Sequence, residues 1–119
     1  MVGWSEYKNH SRERGSLALE LFAVTSRPAS TPEAIKETLP AHLAYQVELE
    51  NAGVLALAGP LSDASGELME GEGLIIYRAA SLADACSLAE NDPMHLSGAR
   101  SFTIRAWLVN EGSLANTKQ

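Results

Sequence analysis

Val54-Leu55-Ala56-Leu57-Ala58-Gly59-Pro60-Leu61, a polar stretch from Ser62 to Gly71, and then Gly73-Leu74-Ile75-Ile76-Tyr77-Arg78 decide the fold. Both apolar runs have strand length and no helical pattern separates them, so they form a hairpin whose Gly-rich connection suggests a mobile end. Upstream, Leu17 to Thr25 reads as another strand, and Pro28, Ser30, Thr31 and Pro32 supply a loop and a helix start. A helix is expected from Glu33 to Asn51, in two parts with a fresh start at Pro40, and Gly53 sits just past its end. Downstream, Ser81-Leu82-Ala83-Asp84 has capping-box spacing with Asp in place of the commoner Glu. The helix it opens must stop by Asp92, because Pro93 disfavours a helical residue before it. Phe102 to Val109 gives the last strand. Strand, helix, strand, strand, helix, strand in one chain of this size predicts an α+β, ferredoxin-like fold: a four-stranded antiparallel sheet with both helices on one face.

An antiparallel sheet with one wet face should alternate apolar and polar residues, yet the runs at 54–58 and 74–77 are apolar on both sides. Phe22 and Val24 oppose Leu19 and Leu21, and Trp107 and Val109 oppose Ile104 and Leu108, so the apolar second face extends across the sheet. A large apolar surface marks an interaction site, and a symmetric copy is its commonest partner, so a homodimer with sheets facing each other is expected. The alternative cover is the N-terminal extension. Residues 1–15 are charged around Trp4 and Tyr7 and suggest a short helix that docks; 16–110 form the domain, and 111–119 are a polar, frayed tail.

With 119 residues the chain can bury roughly two thirds of its unfolded surface without a disulfide or metal staple. A net charge of -6 argues against nucleic acid, whose binding needs concentrated Lys and Arg. No apolar stretch nears the roughly 20 residues that span a bilayer, so no membrane partner is expected. The first residues lack a basic start and an apolar run, and the single Cys86 has no intrachain partner, which makes the cytoplasm the expected location.

At 100° per residue, His42 falls among Leu39, Leu43, Gln46 and Leu49, on the face expected to meet the sheet. A histidine there is either a satisfied core residue or a base, and Asp92 is the carboxylate able to fix its tautomer and stabilise its charged form. Asp92 has its own local explanation, since Asp before Pro commonly ends a helix and bonds nearby amides. Gly59-Pro60 serves the turn after its strand, although glycine there also admits a ligand close to the backbone. His95 is a loop residue or a pocket wall; Tyr45 and Tyr77 pack or offer a hydroxyl to a substrate. Glu20, inside an apolar strand, needs a partner, for which Arg105 is the candidate. His10, His42 and His95 lack the spacing of a metal site, so neither metal nor cofactor is expected, and no nucleophile elbow or phosphate loop is present.

Pro40-Ala41-His42-Leu43-Ala44, Gly53-Val54-Leu55 running into Ala58-Gly59-Pro60-Leu61, and Leu82-Ala83-Asp84-Ala85 leading to Asn91-Asp92-Pro93-Met94 and Gly98 resemble the YCII-related (YciI-like) family over residues 17 to about 110. The resemblance implies a dimeric α/β barrel and a catalytic His and Asp dyad in a pocket near the sheet, which falls on His42 and Asp92. Substrate contacts are then expected from Gly59, Pro60, His95 and Tyr45. Many members carry Arg where this chain has Leu39, so anion binding through that residue does not carry over. The function this implies is a small cofactor-independent lyase or isomerase that moves a proton on a small organic substrate, ring compounds included. The competing expectation is a non-catalytic dimeric module that binds a small ligand or assists a partner protein.

Overall fold

Thr31 sets the start of the long helix: its hydroxyl accepts from the Ala34 amide at 3.1 Å, and Pro32 occupies the first turn, where its missing N–H costs nothing. A computed structural model describes residues 1–115 of the chain. The elements run α1 (Trp4–Glu13), β1 (Leu19–Pro28), α2 (Pro32–Asn51), β2 (Leu55–Pro60), β3 (Gly73–Tyr77), α3 (Leu82–Glu90), α4 (Pro93–Leu96) and β4 (Arg100–Val109). Ser81 caps α3 as its spacing predicts, accepting from the Asp84 amide at 3.1 Å. No helix among the described residues is long and apolar enough to cross a membrane.

The strands form one antiparallel sheet in the order β2-β3-β1-β4. With α2 and α3 as the two crossovers, this is the expected ferredoxin-like arrangement. Register places Phe22 beside Tyr77 and Ala106, and Val24 beside Ile75 and Ile104, so all these side chains share a face. Leu49 of α2 and Ala89 of α3 close over Val24, Ile75 and Tyr77, with Tyr45, Leu88, Phe102 and Ile104 packed around them. Leu21, Ile76 and Val109 form a second cluster on the opposite face, joined by Leu19, Ala23, Ala56 and Ala115. Leu57 and Trp107 remain about half exposed, at 54% and 47%. The tail reaches the second face at Ala115; residues 116–119, for which fraying was expected, lie outside the described residues.

Several boundaries differ from expectation for local reasons. Pro40 does not divide α2, which continues through it for 20 residues and forfeits only the bond that a residue-40 amide would have made. The first strand starts at Leu19, because Ala18 takes a left-handed conformation with φ 48° that interrupts extended backbone. It then runs on to Pro28, since β4 begins at Arg100 and pairs with it along the full length. Glu20 does not meet Arg105, which pairs with Ala23 on the other face. Its carboxylate accepts instead from Trp4 Nε1 and from Lys8 Nζ at 3.1 Å, so α1 docks beside β1 on the helical side and not over the second face. The Trp4 hydrogen bond is the main reason Glu20 titrates below its ordinary range, with Lys8 assisting and burial opposing.

The additional helix α4 is held against the sheet through His95. Its Nδ1–H donates to the Ala89 carbonyl at 2.8 Å, which makes Nε2 the acceptor for the Ser26 hydroxyl, also at 2.8 Å; the ring lies 4.7 Å from that of Phe102. Burial lowers the pKa of His95, partly opposed by the Ala89 carbonyl and the Asp92 charge, while the His42 and Arg100 charges lower it further. The folded value lies below the ordinary one of about 6.5, so the unfolded chain takes up this proton first and the stability is fully present above about pH 6.5. It declines as pH falls toward the folded value. The denaturation midpoint should therefore drop more between pH 7 and pH 5 in the wild-type chain than in His95→Leu; equal drops would show that the ring is not linked to folding.

Candidate active site

The amino-terminal half of α2 does not lie flat on the sheet. Leu39 and Leu43 are 42% and 50% exposed, whereas Leu49 near the other end is buried. The space left beneath is a cavity of about 300 Å³, with Leu39 and His42 on its helical wall, Gly59 and Pro60 at the end of β2, and Ser26 and Arg100 on the sheet. The helical periodicity thus turned His42 inward, but toward a pocket and not into packed core.

Asp92 is fully buried at the junction of α3 and α4. Its Oδ1 accepts from the Met94 amide at 2.9 Å, which caps α4, and both of its oxygens accept from His42 Nδ1–H, at 2.8 and 2.9 Å. Local cap and imidazole partner are therefore served by one carboxylate. Because Nδ1 carries the proton toward Asp92, Nε2 is the nitrogen with a free lone pair. His42 lines the cavity and its side chain keeps 16% exposure. The field of Asp92 reaches its neighbours: after burial, its charge is the next cause that pushes the phenols of Tyr77 and Tyr45 upward.

Of the residues singled out in the sequence, His42, Gly59 and Pro60 share the cavity wall. Asp92 stands directly behind His42. Tyr45 is directed elsewhere, its hydroxyl donating to the Leu88 carbonyl at 2.7 Å. His95 lies behind Ser26 and not on the wall. Among the wall residues that escaped sequence reasoning are Ser26, 4% exposed, and Arg100, whose Nε donates to the Ser26 hydroxyl at 2.9 Å. Strand parity holds the signal for Ser26, which follows Phe22 and Val24 at intervals of two and so shares their face. Among the described residues no group of three or more His, Cys, Asp and Glu side chains is placed to hold a metal ion.

The profile of the YCII-related domain matches residues 19–108, the span that contains every cavity-lining residue named above. A search of curated proteins finds no match. Among solved structures, the chain is similar to 5-chloro-2-hydroxyhydroquinone dehydrochlorinase (TftG) from Burkholderia phenoliruptrix AC1100 in complex with 2,5-dihydroxybenzoquinone. The likeness has a TM-score of 0.57 at 22% identity and covers 72% of this chain and 92% of that one, which speaks for the fold. A match over residues 19–108, well over half of the chain, shows that the chain belongs to the YCII-related domain family.

Proposed function

We propose that this protein is a small cofactor-independent enzyme of lyase or isomerase type, in which His42 Nε2 takes a proton from a small organic substrate and Asp92 holds the imidazole. The observation that carries this reading is the 2.8 Å contact between His42 Nδ1 and a fully buried carboxylate, with the same imidazole lining a cavity. A buried anion fixes one tautomer and steadies the imidazolium formed when the proton arrives. The carbon–hydrogen or oxygen–hydrogen bond of the substrate breaks, and its electron pair forms a double bond. In elimination, a leaving group on the neighbouring carbon departs with the pair it shared; in isomerisation, the proton returns at another atom. After elimination His42 releases its proton to solvent; after isomerisation it has already returned it to the substrate. That a protein of similar fold catalyses dehydrochlorination of a hydroxylated ring supports trying halogenated and hydroxylated ring compounds first.

The second sheet face supports a homodimer, with Leu57 and Trp107 exposed beside a continuous apolar strip through Leu19, Leu21, Ala23, Ile76 and Val109. The docking of α1 on the helical side leaves this strip to another partner, and Ala115 touches only part of it. The proposed location is the cytoplasm, on the strength of the single Cys86.

A panel of halogenated and hydroxylated quinols, read by halide release and ultraviolet absorbance, tests the chemistry. His42→Ala should lower kcat/KM by about 10²–10⁴-fold, the usual weight of a general base. Asp92→Asn should lower it by about 10–100-fold, as expected from loss of one charge-assisted hydrogen bond. Turnover unchanged by both substitutions would remove the pair from the mechanism. In solution the mass should be twice 12.7 kDa, and Trp107→Glu should halve it; a wild-type monomer at micromolar concentration would refute the facing-sheet dimer.

A further inference from the structure

Arg100 is a half-buried cation to which no carboxylate of the described residues is paired. Its polar partners are all neutral. Nε donates to the Ser26 hydroxyl and Nη2 to the Ser26 carbonyl, both at 2.9 Å, and Nη2 donates again to the carbonyl of Gly71. The Ser26 hydroxyl in turn donates to His95 Nε2, so its own orientation is fixed. Gly71 is held as well: its φ of 99° suits glycine, and a Cβ there would come within 2.8 Å of Pro28 Cγ. Three bonds on two nitrogens immobilise the guanidinium plane. Nη1 is the remaining nitrogen; it makes no hydrogen bond to the described residues and is not sealed from solvent.

A guanidinium stays charged, and removing it from water without an anion is costly. Burial accordingly lowers Arg100 from its ordinary value, with the Asp92 charge opposing. The cavity wall that Arg100 shares with His42 is where an anion would relieve this cost. The contact available is narrow. Because Gly71 and Ser26 take both hydrogens of Nη2, the two-nitrogen fork that grips a carboxylate is blocked, and Nη1 is the nitrogen left to meet a ligand. One nitrogen with two hydrogens suits one oxygen.

We propose that Arg100 Nη1 is the oxyanion donor of this pocket, and that its substrates are small molecules presenting a phenolate or enolate oxygen to Arg100 while their departing proton goes to His42 Nε2. The second half of this statement rests on the proposed role of His42; the first half stands on the geometry of Arg100. When a carbon–hydrogen bond breaks, its electron pair forms a carbon–carbon double bond and the carbonyl pair moves onto oxygen as an enolate. When an oxygen–hydrogen bond breaks, its pair stays on that oxygen as a phenolate. In both, a fixed donor stabilises the charge without reorganising. Proton acceptor and charge acceptor then act on a single substrate, and no oxidant or reductant is involved. Ser26 is a positioning residue in this scheme.

The probe is 4-nitrophenol, whose ionisation is read by visible absorbance with the full chain in excess. The wild-type chain should hold 4-nitrophenolate about tenfold more tightly than 4-nitrophenol, so that the bound probe ionises about one pH unit lower than the free probe. Arg100→Met should abolish the preference and His42→Ala should retain it. Equal affinity of the wild type for both forms, or a preference that survives Arg100→Met, would overturn the proposal. Because Arg100→Met also breaks the contacts to Ser26 and Gly71, a second reading uses the wild type: the Arg100 guanidinium nitrogen resonances should shift with 4-nitrophenolate and not with 4-nitroanisole. Resonances unmoved by the anion would equally overturn it. Quinol turnover indifferent to His42→Ala and Asp92→Asn, alongside an intact phenolate preference, would remove the proton-transfer reading and leave the anion site standing.

Discussion

The burial of one carboxylate organises the functional half of this domain. Asp92 is removed from water completely, and an anion in that position is tolerated only where hydrogen-bond donors and positive charge surround it. The Met94 amide and His42 Nδ1 supply the donors, while Arg100 lies close enough for the Asp92 charge to raise its affinity for protons. Each of these partners is thereby constrained in turn. Met94 lies in the first turn of the short helix that carries His95, His42 presents a single nitrogen to the cavity, and Arg100 stands on the floor beneath. The separation between α2 and the sheet, wide at Leu39 and closed at Leu49, gives this polar cluster a space to face.

Much of the fold was legible because its signals are local. The apolar runs at 54–58 and 74–77, the Ser81 cap and the Thr31-Pro32 start act within a few residues, and they led to the observed order of strands and helices. The apolar second face was legible from parity alone. Where reading failed, a nonlocal contact or an unusual backbone angle outweighed local preference. Pro40 is carried by a helix whose other bonds suffice; Ala18 bends a strand that composition would have begun earlier; Glu20 found its partners on α1 and not across the sheet.

The site divides in the same way. His42 could be placed on an inward face by counting along one helix, and Asp92 was recognisable as a helix-boundary residue, yet their meeting depends on two helices that the chain separates by 50 positions. Ser26 and Arg100 are 74 positions apart and carry no motif. An isolated serine near a strand end and an arginine after a turn are ordinary surface residues until pairing of β1 with β4 places them together. Leu39 is informative in retrospect. Where the family resemblance would put an arginine on α2, this chain lines the cavity with a leucine and brings its cation from the sheet.

The Ser26 hydroxyl joins a cation on β4 to an imidazole on α4, across 74 and 69 positions of chain. A slip of one residue between β1 and β4 would turn Arg100 to the opposite face and strand Ser26 and His95 without their partners. An apolar ladder tolerates such a slip comparatively well, because hydrophobic contact is nondirectional. Directional polar bonds do not. The network around Ser26 thus acts as a register gauge for the central strand pair: it is complete in one alignment, and chains that pair wrongly bury unsatisfied polar groups and must reopen.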